Sequence, residues 1–340
     1  MAELSFKDFA SDQEVRWCPG CGDYSILKAV QRALASCGAD PANTVFVSGI
    51  GCAARLPYYI ESYGFHTIHG RAPAIATGVK LANPELDVWV ITGDGDGLSI
   101  GGNHLLHALR RNIDLNILLF NNEIYGLTKG QYSPTSRIGT TSPSSPGGSV
   151  DNPVRPGAFV VGAGATFIAR GIDIDQKGLP DILTAARAHR GAAFVEILQN
   201  CIVYNKDVFD SVSSRKTASD HQIRVEHGQP LLYGPDQDKG LRLNTKTLQL
   251  EAVQVGAQGI DEVLIHDETN PTLALMLLNL APPLPTAIGV IHRRQAEPFE
   301  QAFWNAKPRE RRQRVVTLLH QGNLVDHRQS ASSESAADFR

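Results

Sequence analysis

Two apolar runs in the first half of the chain each end in a polar turn, and this pair of turns constrains the fold more than any other feature. Residues 87–92 lead into Gly-Asp-Gly-Asp-Gly at 93–97, and residues 115–120 lead into Asn121-Asn122. Each run has the length and apolar composition of a buried strand. Because a helical pattern at 98–111 separates them, the two strands should lie parallel, with both turns at the carboxyl edge of one sheet.

These two turns carry the ligand types that magnesium prefers. Asp94 offers a carboxylate, Asn122 an amide oxygen and Ile124 a backbone carbonyl. Magnesium takes hard oxygen ligands in octahedral geometry and often shares them with phosphates. The glycines of the first turn allow a phosphate to approach the backbone, and a helix start favours an anion. Either turn alone would be ordinary loop structure, but together they predict a magnesium–diphosphate site.

The surrounding sequence repeats the alternation of strands and helices. Apolar periodicity predicts strands at 44–47 and 193–198 and helices at 72–82 and 180–189, together with a helix that Asp23 caps at its N-terminus. Such alternation is typical of a mostly parallel α/β sheet with helices on both faces.

Two later regions depart from this pattern. Residues 133–157 are rich in Pro, Ser, Thr and Gly and predict a long loop that is either functional or disordered. After residue 205 we expect an irregular C-terminal extension with a helix at 271–280. The basic run at 307–314 is interpreted as a solvated helix face, and 327–340 as a disordered tail.

Composition excludes several classes of protein. Lys and Arg number 32 against 35 Asp and Glu, for a net charge of -3, so a nucleic-acid binder or a basic membrane anchor is not expected. No apolar run approaches the ~20 residues of a spanning helix, and the N-terminus lacks the pattern of a secretion signal. We therefore expect a cytoplasmic protein that binds neither nucleic acid nor membrane.

The chain has five cysteines, an odd number that argues against a disulfide framework when no export signal is present. Cys18 and Cys21 form a Cys-x-x-Cys pair, whereas Cys52 and Cys201 each follow a predicted strand. Four thiolates can bind one [4Fe-4S] cluster or a tetrahedral zinc ion. A redox-active pair with two unrelated thiols is an equal alternative on spacing alone. Cys37, at a predicted helix end, is not expected to be a ligand.

The motifs taken together resemble a known family. Gly-Asp-Gly followed by Asn-Asn is similar to the signature of the thiamine diphosphate-binding fold. Further motifs are Trp-Cys-Pro-Gly-Cys-Gly at 17–22, Gly-Ile-Gly-Cys at 49–52, His-Gly-Arg-Ala at 69–72 and Asn-Asn-Glu-Ile-Tyr-Gly-Leu-Thr-Lys-Gly-Gln at 121–131. With these, the chain resembles the β subunit of 2-oxoacid:ferredoxin oxidoreductases, and the 2-oxoglutarate branch fits best. The resemblance covers residues 17–205.

The resemblance implies a subunit that binds thiamine diphosphate, Mg²⁺ and one [4Fe-4S] cluster. Its reaction would be the coenzyme A-dependent oxidative decarboxylation of a 2-oxoacid, 2-oxoglutarate to succinyl-CoA, with one-electron transfer through the cluster to ferredoxin, or the reverse carboxylation. It also implies that residues 1–205 form the cofactor- and cluster-binding domain and that 206–326 extend the same subunit. Two alternatives stay open: an enzyme specific for pyruvate or for 2-oxoacids in general, and a non-catalytic iron–sulfur electron carrier.

Residue roles follow from the same resemblance. The cluster ligands would be Cys18, Cys21, Cys52 and Cys201, which decides between cluster and zinc, and the magnesium ligands would be Asp94, Asn122 and the carbonyl of Ile124. The positions that line the cofactor would be Ile50, Gly51, Cys52, Ala53, His69, Gly95, Asp96, Gly126 and Leu127. Ala53 departs from relatives that carry serine there, so a hydroxyl contact is not expected.

The substrate and the partner subunit complete the expectation. Arg55, Thr128 and Lys129 are candidates to bind the substrate carboxylates, because a dianion needs fixed cations or donors; ordinary surface charge is the alternative for the two cations. Thiamine activation needs a carboxylate at the aminopyrimidine, and no residue of the chain is marked for this role. In the family it comes from an α subunit, so we expect inactivity alone, an assembly with two copies of each subunit, and an interface involving residues 133–157 and the C-terminal region.

Overall fold

The two apolar runs that end in polar turns are adjacent strands in the computed structural model of the chain, which describes residues 4–256 and 259–306. The strands are β1 Thr44–Ser48, β2 Tyr63–His66, β3 Asp87–Gly93, β4 Asn116–Asn121, β5 Phe167–Ile172, β6 Ala193–Leu198, β7 Gln222–Val225, β8 Leu232–Tyr233, β9 Lys239–Asn244, β10 Gln249–Gln254 and β11 Thr286–Arg293. The α-helices are α1 Gly22–Ser36, α2 Ala72–Ala82, α3 Asp94–Leu98, α4 Gly102–Arg110, α5 Pro156–Gly162, α6 Gly178–Ala188, α7 Asp210–Ser213, α8 Ala218–His221, α9 Pro271–Leu278 and α10 Phe299–Asn305. Short 3₁₀ turns lie at Phe6–Phe9, Pro41–Asn43, Ala53–Tyr59 and Ile260–Glu262.

The main sheet has eight strands in the order β2-β1-β3-β4-β6-β5-β11-β7. The first six run parallel to one another, β11 pairs antiparallel with β5, and β7 pairs parallel with β11. The predicted, mostly parallel α/β sheet is therefore confirmed. Since β1, β3, β4 and β6 occupy four adjacent positions, the turns that follow them meet at one edge of the sheet, where sites of such folds lie.

Helices cover both faces of this sheet, as predicted. Side chains alternate along β3, so that Val88 and Val90 pack toward α2 and α4, whereas Trp89 and Ile91 pack toward α1 and α6. All four side chains are at most 1% exposed, and full burial of an aliphatic side chain contributes roughly 1.5–3 kcal/mol to folding. This double-sided core makes the carboxyl edge of the sheet a rigid support for the turns.

Two predicted helices differ in detail. The first begins at Gly22 with Cys21 as its N-cap, and Asp23 lies buried in the first turn without a capping bond. The cap prediction is wrong because the Cys-x-x-Cys segment itself turns the chain, through a hydrogen bond from the Cys21 amide to the Cys18 carbonyl at 3.0 Å. The helix predicted at 98–111 begins only at Gly102, as α4, and the separate short helix α3 precedes it. Between the two helices the Gly101 amide donates to the Asp96 carbonyl at 3.1 Å, and a Cβ on Gly101 would lie 2.4 Å from that oxygen.

The segment after residue 205 is more regular than the sequence predicts. Its strands β7 and β11 extend the main sheet beyond β5, and β8, β9 and β10 form a separate antiparallel sheet. The helix predicted at 271–280 is confirmed as α9. The described residues up to Glu300 form one compact unit. The boundaries at 205 and 326 stay predictions, and the predictions for 307–314 and 327–340 lie outside the described residues.

Within residues 4–256 and 259–306, the helices are too short or too polar to cross a bilayer.

Candidate functional site

The turns after β1, β3 and β4 enclose a cavity of about 120 Å³, which we call the first cavity. It contains all nine positions that were expected to line a cofactor, as well as the three expected magnesium ligands and Thr128. The lining residues are Ile50, Gly51, Cys52, Ala53, His69, Gly93, Asp94, Gly95, Asp96, Phe120, Asn122, Ile124, Tyr125, Gly126, Leu127, Thr128 and Gln199. The structure thus brings together residues that are up to 149 positions apart in the sequence, from Ile50 to Gln199.

Asp94 is held by two hydroxyl groups from the start of the long loop. The Oγ of Ser133 and the Oγ1 of Thr135 each donate to Asp94 Oδ2 at 2.5 Å, and all three side chains are buried. Burial raises the pKa of Asp94, and the two hydroxyl donors partly offset this rise. The sequence gives no sign of this contact. The contact with Asp94 shows that the first residues of the loop predicted at 133–157 pack into the site.

Asn122 is fixed from both ends of its amide group. Its Oδ1 accepts from the Ile124 amide at 3.1 Å, and its Nδ2 donates to Gln199 Oε1 at 2.7 Å. The neighbouring Glu123 has a positive φ of 53°, which turns the chain sharply at this point. Burial raises the pKa of Glu123 to about 7 despite its ion pair with Arg137. The donor set of the cavity, a carboxylate, an amide oxygen and a carbonyl, fits a hard divalent cation.

Asp96 connects three segments of the site. Its Oδ1 accepts from the amides of Ile50 and Gly70 at 3.1 and 2.7 Å and lies 2.5 Å from His69 Nδ1. Its Oδ2 accepts from Thr92 Oγ1 at 2.7 Å. Hydrogen bonds to a charged group contribute about 1.5–3 kcal/mol each. Asp96 therefore joins the turns after β1 and β3 to the loop at His69, in addition to lining the cavity.

Gly95 and Tyr125 are in direct contact across the first cavity. The Tyr125 hydroxyl donates to the Gly95 carbonyl at 2.9 Å. A Cβ on Gly95 would lie 2.2 Å from the Tyr125 ring, so only glycine fits beside this tyrosine. In the sequence, Tyr125 is only one residue of the motif at 121–131, and its contact with the Gly-Asp-Gly turn forms only in the folded chain.

Four of the five cysteines, Cys18, Cys21, Cys52 and Cys201, surround another cavity of about 250 Å³, which we call the second cavity. Cys18 and Cys21 lie in the turn before α1, Cys52 follows β1, and Cys201 follows β6. A Cβ on Gly126 would lie 3.6 Å from the Sγ atoms of both Cys52 and Cys201. The other lining residues are Arg16, Trp17, Asp23, Arg55, Asn122, Gly126, Leu127, Lys129, Gln199, Ile202, Val203 and Tyr204.

Burial keeps two of these thiols protonated in the metal-free chain. It raises the pKa of Cys21, and it raises the pKa of Cys52 to about 12, with the charge of Asp23 adding to both shifts. A metal that binds them must therefore displace protons. Cys37 ends α1 about 24 Å along the helix from Cys21, and its Sγ lies 3.4 Å from the Leu34 carbonyl.

In the described part of the chain, no three His, Cys, Asp or Glu side chains converge enough to bind one metal ion. Tetrahedral zinc with Zn–S bonds of ~2.3 Å needs sulfurs about 3.8 Å apart. The four cysteines lie around the second cavity, which has a volume of about 250 Å³.

The three candidate substrate residues lie on different cavities. Thr128 lines the first cavity, where its hydroxyl bonds to the Gln131 side chain. Arg55 and Lys129 line the second cavity, and the Arg55 Nε donates to the Tyr59 hydroxyl at 3.0 Å. The two cavities share five lining residues, Cys52, Asn122, Gly126, Leu127 and Gln199, and none of the three candidates is among them.

The comparisons with known proteins agree with the fold and with the motifs. The family model for the thiamine pyrophosphate enzyme, C-terminal TPP binding domain, matches residues 49–197. The chain is 53% identical over 277 residues to 2-oxoglutarate oxidoreductase subunit KorB of Mycobacterium tuberculosis, which covers 81% of this chain and 74% of that protein. It is 47% identical over 242 residues to 2-oxoacid:ferredoxin oxidoreductase 1, subunit beta, of Aeropyrum pernix, covering 70% of this chain and 74% of that protein.

A solved structure supports the same relationship along nearly the whole chain. A chain of the 2-oxoglutarate:ferredoxin oxidoreductase from Magnetococcus marinus, with 2-oxoglutarate, coenzyme A and succinyl-CoA bound, is similar with a TM-score of 0.73 and 31% identity. The similarity covers 99% of this chain and 98% of that chain. The resemblance found in the motifs is thereby confirmed: the chain has the thiamine diphosphate-binding fold and belongs to the β subunits of the 2-oxoacid:ferredoxin oxidoreductases.

Proposed function

We propose that this chain is the β subunit of a 2-oxoglutarate:ferredoxin oxidoreductase that holds thiamine diphosphate, Mg²⁺ and one [4Fe-4S] cluster. The reaction is the coenzyme A-dependent conversion of 2-oxoglutarate to succinyl-CoA with reduction of ferredoxin, or the reverse carboxylation. One observation carries this proposal. The first and second cavities share a wall that is made of Cys52, Asn122, Gly126, Leu127 and Gln199.

The first cavity fits the magnesium and diphosphate end of the cofactor. Asp94, Asn122 and the Ile124 carbonyl would hold the metal, since this donor set suits magnesium. Gly95 keeps the turn free of a side chain that would collide with Tyr125. Ile50, His69 and their neighbours then line the cofactor, and Asp96 keeps their loops in place.

The second cavity fits the cluster. Cys18, Cys21, Cys52 and Cys201 supply the four thiolates that a [4Fe-4S] cluster requires. They come from three separate segments, and the Trp17 Nε1 ties two of these together by donating to the Cys52 carbonyl at 2.8 Å. Such a cluster would lie directly beside the cofactor.

Thiamine diphosphate supplies the electron sink for decarboxylation when bound, and a cluster supplies a one-electron acceptor. The chain's own residues position the substrate. Thr128 offers a hydroxyl to the first cavity, and Arg55 and Lys129 bring two cations to the second cavity, a set that suits a dicarboxylate such as 2-oxoglutarate. A pyruvate enzyme would need fewer of these contacts and is the second candidate. An iron–sulfur electron carrier would have no use for the first cavity.

An α subunit is needed to complete the site. Asp94 and Asp96 are the carboxylates among the described residues that line the first cavity, and both already accept hydrogen bonds within the chain. The cavity volume of about 120 Å³ is below the ~300–1,000 Å³ of typical small-molecule sites. The partner would supply the activating carboxylate and the remaining walls, in an assembly with two copies of each subunit. Because ferredoxin reduction belongs to a reducing compartment, we place the enzyme in the cytoplasm.

The test compares the isolated chain with the chain co-expressed with its α subunit, both purified without oxygen. We expect 2-oxoglutarate- and coenzyme A-dependent reduction of a viologen dye by the complex, faster than with pyruvate, and none by the isolated chain loaded with cofactor and iron. Equal activity of the isolated chain would contradict the role assigned to the partner. A preference for pyruvate would support the second candidate.

A further inference from the structure

A single buried glutamine contacts a residue of each cavity. The Gln199 Oε1 accepts from Asn122 Nδ2 at 2.7 Å, and its Nε2 lies 3.4 Å from Cys21 Sγ, within donor distance of sulfur. The residue is 1% exposed and lines both cavities. It directly follows β6, and neither the sequence motifs nor the resemblance singled it out.

We infer that Gln199 is a positioning residue that couples the magnesium–diphosphate site to the cluster, by orienting Asn122 and donating to the Cys21 sulfur. This inference rests on the proposed function, because it requires Asn122 and Cys21 to be ligands. It adds a physical connection through which the occupancy of one site changes the properties of the other.

The first half of this role concerns Asn122. An amide can present its oxygen or its NH₂ group to a metal, and only the oxygen binds. Gln199 Oε1 is a hydrogen-bond acceptor, so it selects the orientation in which Asn122 Nδ2 points toward β6. The Ile124 amide donates to Asn122 Oδ1 and selects the same orientation. Removal of Gln199 Oε1 leaves only one of these two restraints.

The second half concerns Cys21. A hydrogen bond to a cluster sulfur stabilises the more electron-rich state and raises the reduction potential. Gln199 Nε2 also donates to the Asn200 carbonyl at 2.8 Å, and the Gln199 amide donates to the Asn121 carbonyl at 2.9 Å. A Cβ on Gly22 would lie 3.1 Å from Gln199 Cγ. The side chain is therefore held tightly against the start of α1.

Coupling follows because the two contacts share one amide group. A cation on Asn122 Oδ1 makes Asn122 Nδ2 a stronger donor to Gln199 Oε1. This polarises the Gln199 amide and strengthens donation from Nε2 to the sulfur, since linked hydrogen bonds reinforce one another. Loading magnesium and thiamine diphosphate should thus raise the cluster potential through Gln199.

The experiment uses the αβ complex with Gln199→Met, which keeps the length of the side chain and removes both contacts. Gln199→Glu keeps an acceptor for Asn122 and removes the donor to Cys21. Gln31→Met is the control, because Gln31 is also buried but bonds only to the Phe9 and Tyr59 carbonyls. Iron and sulfide content, the reduction potential by EPR titration and the Kd of magnesium–thiamine diphosphate are measured for each.

For Gln199→Met with full iron, we expect the ratio of reduced to oxidised cluster at a fixed potential to fall about fivefold. This is the effect expected from the loss of one ordinary hydrogen bond. This equals a shift of about -40 mV for a one-electron couple. The Kd should rise about fivefold to tenfold. Gln199→Glu should lower the potential but change the Kd less, and the control should match the parent.

An unchanged potential and Kd in an iron-replete Gln199→Met complex would overturn the inference. If neither Gln199 variant retains iron, the parent complex provides the test. Its cluster potential should fall when magnesium and thiamine diphosphate are removed, and an unchanged potential would also overturn the inference. A parent complex without iron or without bound cofactor would instead refute the proposed function, so the two failures are distinguishable.

Discussion

The two hydroxyl groups that bind Asp94 provide a quantitative test of the magnesium site. The double variant Ser133→Ala/Thr135→Val removes both 2.5 Å hydrogen bonds to Asp94 Oδ2 and changes little in side-chain volume. Each bond to a charged acceptor contributes about 1.5–3 kcal/mol. Because Ser133 Oγ also contacts Thr135 and Ser136, the two contributions belong to one network and are not additive.

The free and the metal-bound forms of this variant differ in how they respond. Burial already raises the pKa of Asp94. The variant without bound metal can therefore protonate the carboxyl group, which makes the missing hydrogen bonds less costly to it. The metal-bound form needs the ionised carboxylate, so it loses the whole free energy that the two hydrogen bonds contribute. We expect about 2–3 kcal/mol less binding free energy, which raises the Kd of magnesium–thiamine diphosphate by about 30- to 150-fold.

Isothermal titration of the αβ complex with thiamine diphosphate at saturating magnesium measures this Kd. Ser142→Ala is the matched control, since Ser142 is a buried serine of the same loop whose contacts, to Ser144 and Ser145, stay within the loop. A change below about threefold in a double variant that retains the parent's thermal midpoint would refute the assignment of Asp94 as a metal ligand supported by this loop.

Further predictions concern the metal, the cluster and the stability of the fold. Asp94→Ala should abolish cofactor binding while iron and sulfide stay at parent levels, because it removes the one carboxylate of the metal set; full cofactor at normal magnesium would contradict this. Cys37→Ser should keep a full cluster, whereas Cys18→Ser, Cys21→Ser, Cys52→Ser and Cys201→Ser should each lose or damage it, and iron loss at Cys37 with retention at Cys201 would reverse the assignment. Burial lowers the pKa of His189 to about 4. Since the unfolded imidazole titrates near 6.5, the free energy of unfolding should fall by up to about 3 kcal/mol as the pH falls from about 6.5 to 4. His189→Gln should make the free energy of unfolding, measured with urea at pH 7 and pH 5, less dependent on pH. An unchanged pH dependence in this variant would show that other groups dominate.

The sequence predicts the sheet and the turns at its edge because those elements depend on local patterns. Residues 87–92 and 115–120 are mostly apolar and are followed by glycine and asparagine, and both are strands of the structure, β3 and β4. The strand β11 escapes prediction because Gly289, at a φ of 121°, interrupts its apolar run. Its place beside β5 depends on a contact between segments more than 100 residues apart.

The candidate site shows the same division. Asp94, Asn122 and the four cysteines around the second cavity belong to short motifs, so residue type and spacing identify them. Ser133 and Thr135 are two of many hydroxyl residues in a loop rich in Pro, Ser, Thr and Gly, and Gln199 lies between a strand and a cysteine. Their contacts with Asp94, Asn122 and Cys21 exist only after the sheet has brought four chain segments to one edge. Only the tertiary structure can reveal such supporting residues.

In the proposed function, electrons pass from thiamine diphosphate in the first cavity to a cluster held by the same chain. Rapid-freeze EPR of the anaerobic αβ complex, mixed with 2-oxoglutarate in the absence of ferredoxin, tests it most directly. We expect the signal of a reduced [4Fe-4S] cluster to appear with substrate, to require bound thiamine diphosphate, and to be lost in the Cys18→Ser complex. A substrate-dependent signal that persists unchanged in Cys18→Ser would contradict the account, because the electrons would then reside on a cluster outside this chain.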